Sequence, residues 1–324
     1  MSERRWAAMA ETAMAYWGGA AETPRLVKAG ENVVFEVRLR DGRHGALRLH
    51  RPGYNSRAAI EAELEWAEAL AAAGQPVPPP IRTVKQKLTA RAGERIASLV
   101  GWVEGRPIGS AERRLEGTEA EQQALMESVG RLIAGVHNAT DALAPSAAAR
   151  RAWDNAGFLG DRPNWGRFWE NPAFDAGERA GILAARDVAG RALAAYAAAG
   201  GDFGLIHADC LRENILRDGD RLAIIDFDDS GTGFRIYDLA TAVVQSLEEP
   251  SLSALVAGVL DGYRALRPLG VADERALVLF VTLRTFASAG WIATRAGRDD
   301  PRQRLYAERA LRMAAHMRAG TSPW

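Results

Sequence analysis

Cysteine is almost absent from this 324-residue chain: Cys210 stands alone, which excludes an internal disulfide and agrees with a reducing compartment. The apolar runs fall short of the roughly 20 residues that cross a bilayer. Glu11 interrupts the N-terminal stretch where a signal peptide needs an apolar segment. A soluble cytoplasmic protein with no membrane partner is therefore expected. Neither sign of charge is in excess, since 41 Lys and Arg offset 41 Asp and Glu, so nucleic acid is not favoured as a partner either. Walker A, zinc-ligand and serine-hydrolase signatures are all missing. The sequence leaves the oligomeric state open.

What is present reads in order as a small β-rich part followed by a helical one, an α+β arrangement. Trp6, Met9, Ala10, Ala13, Met14 and Trp17 recur at helical spacing. Between Pro24 and Leu49 the pattern changes to three short antiparallel strands, with turns at Gly30-Glu31-Asn32 and Asp41-Gly42. Ser56 opens a helix to Ala73 with Ile60, Leu64, Ala67 and Leu70 on one face. Ala97 to Gly105 reads as a strand entering a turn. Helices are expected over Glu119 to Asn138, closed by His137, and over Ala180 to Ala199, with four more between Tyr237 and Met317. Division into residues 1–101 and 102–324 follows. An aromatic cluster, Trp153, Phe158, Trp165, Phe168, Trp169 and Phe174, reads either as a satellite core or as a pocket wall. Trp291 and Arg295 lie one helical turn apart and could face a ligand or pack together.

The densest chemistry lies in GLIHADCLRENILRDGDRLAIIDFDDSGTGFRIYDLA, residues 204–240. Asp218-Gly219 supplies the turn of a hairpin. Asp209 and Asn214 precede its first strand and Asp226 follows its second, so one end of the hairpin is expected to gather three oxygen-bearing side chains suited to a hard cation. Such a set suits phosphoryl transfer, which needs positioning and charge neutralisation more than covalent help. Singly, each Asp or Asn is an ordinary turn residue. The Gly231-x-Gly233 pair reads as no more than a flexible loop.

The spacing H-x-D-x-x-x-x-N, followed by I-D-F-D, resembles the loops of the aminoglycoside phosphotransferase and choline kinase families, relatives of protein kinases. The wording IDFDDSGTGFRIYDLA is most similar to a bacterial stress-response-kinase-like subgroup. That resemblance implies a two-lobed protein-kinase-like fold using ATP and Mg²⁺, with Asp209 as base, Asn214 and Asp226 as metal ligands, and His207 and Asp238 as supports of the loop. It puts Gly30 and Asn32 in a phosphate-covering loop, and Gly101, Trp102 and Val103 at an adenine-pairing hinge. Arg48 stands where the family usually carries lysine; it keeps the charge but presents a fork instead of a point. Glu63 falls at the helix position that pairs with that cation, although a solvated carboxylate is the alternative there, as at Glu61, Glu65 and Glu68. Asp228, Asp229, Trp165, Trp291 and Arg295 are candidate acceptor contacts. No A-P-E element or long activation segment follows Asp226, which points to a small hydroxylated acceptor. Two other readings stay open: a protein Ser/Thr kinase, and a nucleotide-binding regulator with little turnover.

Overall fold

The computed structural model describes residues 3–111 and 113–324. In chain order the elements are α1 (Glu3–Met14), β1 (Arg25–Ala29), β2 (Val33–Arg38), β3 (His44–Leu49), α2 (Arg57–Ala72), β4 (Thr89–Ala92), β5 (Arg95–Gly101) and β6 (Arg106–Pro107). There follow α3 (Glu119–Leu143), β7 (Arg151–Trp153), α4 (Asn155–Leu159), α5 (Ala176–Ala198), β8 (Phe203–Ile206), β9 (Ile215–Asp218), β10 (Arg221–Ile224) and β11 (Gly231–Phe234). The chain ends with α6 (Ile236–Val244), α7 (Leu252–Arg264), α8 (Val271–Arg295) and α9 (Arg302–Ala319). They form two compact units. One holds the chain up to Arg106 with Ala142–Arg150 and Leu216–Asp228, and the other holds Pro107–Asp141, Arg151–Ile215 and Asp229–Trp324.

The first unit is built on an antiparallel sheet of order β1-β2-β3-β5-β4. Period-two alternation sends Val33, Phe35, Val37, Leu47 and Leu49 into a core shared with Ala10, Ala13, Met14 and Trp17 of the leading helical segment. Each fully buried side chain of this size contributes about 1.5–3 kcal/mol. The same alternation turns Arg48 to the opposite face, where it pairs in register with Val34 on β2 and Ser98 on β5. Ser56 caps α2 by accepting the Ala59 N–H, and Ile60 and Leu64 of that helix pack with Leu88, Ile96 and Val100. β9 and β10 form the expected hairpin, with Gly219 at φ +57° in its turn. Strand β4 escaped the sequence reading because it is only four residues long and two of them are alanine, which has little strand preference.

In the second unit α8 is the central helix, packed on α5, α6 and α9. By length and composition it could cross a membrane, but 72% of its most apolar window is buried within the protein. Every residue of α6 is buried. Two expectations need correction. His137 does not close α3, which runs on to Leu143; the His is fully buried and hydrogen-bonded to Tyr263 and Asp238. Nor do Gly231 and Gly233 form a flexible loop. They belong to β11, parallel to β7 and antiparallel to β8. A Cβ at Gly231 would lie 2.2 Å from the Arg151 carbonyl oxygen, and one at Gly233 would lie 2.4 Å from Ile206 Cδ1, so both glycines serve close packing.

Candidate active site

In the first unit the charged groups gather around Arg48. Its Nη1 lies 3.3 Å from Glu63 Oε1 and its Nη2 lies 3.0 Å from Asp226 Oδ1. Burial works against the guanidinium's charge, yet Asp226, Glu63 and Asp228 outweigh it and hold the pKa above the ordinary arginine value. Glu63 is 4% exposed, so it is no solvated helix carboxylate. Burial pushes its carboxyl up to about 7, against the pull of Arg48 and Arg150. Arg150, which no motif marks, lies 3.6 Å from Glu63 through Nη1. It also donates to the carbonyls of Ala59, Phe227 and Asp228, tying α2 to the turn that carries Asp226.

Asp226 has φ +69°, a left-handed backbone costing about 1–3 kcal/mol for a non-glycine residue. That turn is fixed from several sides. Phe227 packs edge-on against Trp66, and Asp228 accepts hydrogen bonds from Asn32 and Asn55. Burial raises the Asp228 carboxyl, but His50, Arg48 and Asn32 together keep it below the usual carboxylate range. Asn32 is thus occupied as a pin: its Nδ2 binds Asp228 and its Oδ1 accepts the Arg51 N–H. Gly30 donates its N–H to the Asn32 carbonyl in the turn between β1 and β2. Gly101 and Trp102 have both N–H groups engaged, with the Pro79 and His44 carbonyls, and Trp102 stacks on the His44 ring at 4.9 Å; Val103 follows directly.

The second unit carries the other half of the expected residues. Asn214 Nδ2 lies 2.9 Å from both the carbonyl oxygen and Oδ2 of Asp209. Asp209 Oδ1 accepts from Arg284 of α8 at 2.9 Å. Just before it, Ala208 has φ +66°, and this strain is held by Asp238, whose carboxylate takes the N–H groups of His207 and Ala208 at 2.8 and 2.7 Å. Asp238 is itself bound by His137. Burial of that group works towards neutrality, but the His137 hydrogen bond and charge keep its carboxyl below the ordinary value. His207 is buried and its Nδ1 accepts the Asp209 N–H. Cys210 is a buried packing residue whose thiol pKa is raised by burial.

The aromatic cluster is mostly core: Trp153, Phe158, Trp165, Phe168 and Phe174 are buried. Trp165 Nε1 also donates to Asp229 Oδ1, which Arg151 approaches at 3.3 Å. Arg295 covers its own neighbour, the Trp291 ring, at 5.4 Å. No motif in the sequence of α8 marks Arg284, whose side chain reaches Asp209.

The donor chemistry suits Mg²⁺, which takes one or two protein oxygens and leaves the rest of its shell to phosphates and water. Asp226 keeps 37% of its side chain exposed, as a ligand shared with phosphates and water requires. Among the described residues no cluster of three or more His, Cys, Asp or Glu side chains forms a ready metal cage.

An antiparallel sheet with a buried helix Glu paired to a strand Arg, in a chain that also carries a helical unit with an H-x-D-x-x-x-x-N loop, defines a phosphotransferase of kinase-like fold. The sequence matches the phosphotransferase enzyme family over residues 24–280, and the chain belongs to that family. It is similar to the structure of a microcompartment-associated aminopropanol kinase, with 28% identity, coverage of 98% of this chain and 99% of the other, and a TM-score of 0.82. It shares its fold with an amicoumacin kinase solved with AMP-PNP and Ca²⁺, at 18% identity, coverage of 100% and 95%, and TM-score 0.76. An uncharacterized protein of Deinococcus radiodurans is 29% identical over 287 residues, 84% of this chain and 77% of that protein.

Proposed function

We propose that this enzyme transfers the γ-phosphoryl group of ATP to a hydroxyl of a small molecule in the cytoplasm. The acceptor oxygen attacks the γ-phosphorus, the bond from that phosphorus to the β-phosphate oxygen breaks, the acceptor proton passes to Asp209, and ADP leaves. Arg48, oriented by Glu63, contacts the nucleotide phosphates. Asn214 and Asp226 are the oxygen ligands of Mg²⁺, which supplies charge neutralisation on the phosphates when bound. Gly30 and the segment Gly101-Trp102-Val103 belong to the nucleotide side, whereas Asp229 and Trp165 belong to the acceptor side.

The observation that carries this reading is the state of Asp209. Asn214 and Arg284 hold its carboxylate in one orientation while 19% of the side chain stays exposed, as a base awaiting a hydroxyl requires. Asp209→Asn keeps the shape and removes the base. With ATP, Mg²⁺ and an acceptor found by screening, it is expected to lower kcat by about 10²–10⁴-fold while leaving nucleotide affinity near the wild-type value. Unchanged kcat would overturn the assignment.

A further inference from the structure

The charges on the acceptor side of the proposed reaction cancel in pairs. Arg284 Nη2 is bonded to Asp209 Oδ1 at 2.9 Å, its Nη1 donates to Ser288 Oγ at 2.7 Å, and its guanidinium lies 4.4 Å from the centre of the Trp165 ring. Arg151 faces Asp229 at 3.3 Å, and Asp229 also accepts from Trp165. A carboxylate beside an aromatic face is the usual receptor for an ammonium group. Here a side chain of the protein already fills it. Arg284 is 3% exposed, and its Nε is a buried donor with no hydrogen-bond partner. The same residue lines a cavity of about 30 Å³ with Leu211, Gln245, Thr285, Ser288, Tyr306 and a second cation, Arg309.

Resting on the phosphotransferase reading above, we propose that Arg284 sets acceptor specificity: the enzyme takes a compact hydroxyl compound that carries no ammonium group beside the reacting hydroxyl. The permanent guanidinium charge holds Asp209 in place and repels a second cation brought to that carboxylate. Two like charges about 6 Å apart at an effective dielectric of about 20 differ from a neutral pair by roughly 100-fold in affinity. A neutral hydroxyl in the same place meets no such repulsion. The function of Arg284 is therefore exclusion as much as positioning.

The test uses the full-length protein with ATP and Mg²⁺ and a screen of hydroxyl compounds arranged in matched pairs, an amino alcohol against the diol in which hydroxyl replaces the amine. For each pair that turns over, wild type is expected to favour the diol in kcat/KM by roughly 100-fold at neutral pH. That preference should narrow as pH rises through the amine's own pKa, a readout that needs no variant. Arg284→Met is expected to bring the ratio within each pair close to one or reverse it. A wild-type preference for the charged amino alcohol would overturn the inference, as would a ratio that neither pH nor Arg284→Met moves, while leaving the phosphotransferase reading intact. Absence of transfer to every hydroxyl compound, with ATP binding retained, would overturn that reading and this inference together.

Discussion

Glu63→Gln isolates one titration that the structure places between two arginines. Burial pushes the Glu63 carboxyl from its usual 4.5 up to about 7 even though Arg48 and Arg150 pull it down. A folded-state pKa above the unfolded value means that, between those two pH values, the folded protein holds a proton which the unfolded chain has released. Stability from this group is then complete below the unfolded pKa and declines as pH rises, with a slope of about 1.4 kcal/mol per pH unit. Over the interval of about 2.5 units the decline amounts to about 3 kcal/mol, after which the curve is flat. Glutamine carries no proton to lose, so the variant should lack this segment of the profile.

Thermal unfolding of both proteins from pH 4.5 to 8.5 at constant ionic strength measures the effect. Since 1 kcal/mol corresponds to roughly 2–4 °C in a protein of this size class, the difference between the two melting temperatures should change by roughly 5 °C or more between the ends of the range. A parallel measurement follows KM for the nucleotide, because the ionised Glu63 is what orients Arg48. Titration of the nucleotide itself is common to both proteins and cancels in the ratio. Curves for wild type and Glu63→Gln that run parallel in pH would refute the argument, because a carboxyl that stays ionised throughout could not separate them.

Arg150→Lys keeps a cation near Glu63 but cannot reach the Ala59, Phe227 and Asp228 carbonyls together; hydrogen bonds to a charged group contribute about 1.5–3 kcal/mol each, so a loss of several kcal/mol in denaturant unfolding is expected, with Mg²⁺ dependence of kcat shifted to higher concentration. Equal Mg²⁺ profiles would show that the Asp226 turn does not depend on Arg150. Gly231→Ala should destabilise by more than 3 kcal/mol in the same assay, because its Cβ would meet backbone at 2.2 Å, whereas Ala at Gly219, where nothing lies within 4 Å, should cost only about 1 kcal/mol from its positive φ. Similar losses at the two sites would contradict the packing role of β11.

The parts of this protein that were legible in the sequence are those whose cause is local. Alternation in Val33 to Leu49 determines both the buried face and the opposite orientation of Arg48, and Ser56 with the apolar stripe after it determines α2. The loop from His207 to Asn214 was legible because fixed spacing on a short segment leaves few geometries. What escaped depends on contacts between distant segments. His137 looked like a helix end until Asp238 and Tyr263, more than 100 residues away, were seen to bind it. Gly231 and Gly233 looked like loop residues because a neighbouring backbone leaves no trace in a sequence. Arg150 and Arg284 carry no motif, since an arginine's reach is long and its target can lie anywhere within it.

The arginine at position 48 is better understood through those contacts than through the usual lysine. A lysine ammonium is a compact charge on a flexible stem, whereas the planar fork of Arg48 presents Nη1 to Glu63 and Nη2 to Asp226 at the same time. One guanidinium therefore reports on both α2 and the turn proposed to bind metal. When Glu63 takes up its proton below about 7, Arg48 loses the negative charge of that partner and keeps its contact with Asp226. The carboxylate proposed for Mg²⁺ is then held more tightly by the protein's own cation, and Arg48 is less firmly aimed by α2. On the proposed function both consequences are expected to weaken nucleotide binding in acid, so a fork in place of a point would couple nucleotide affinity to the ionisation of Glu63.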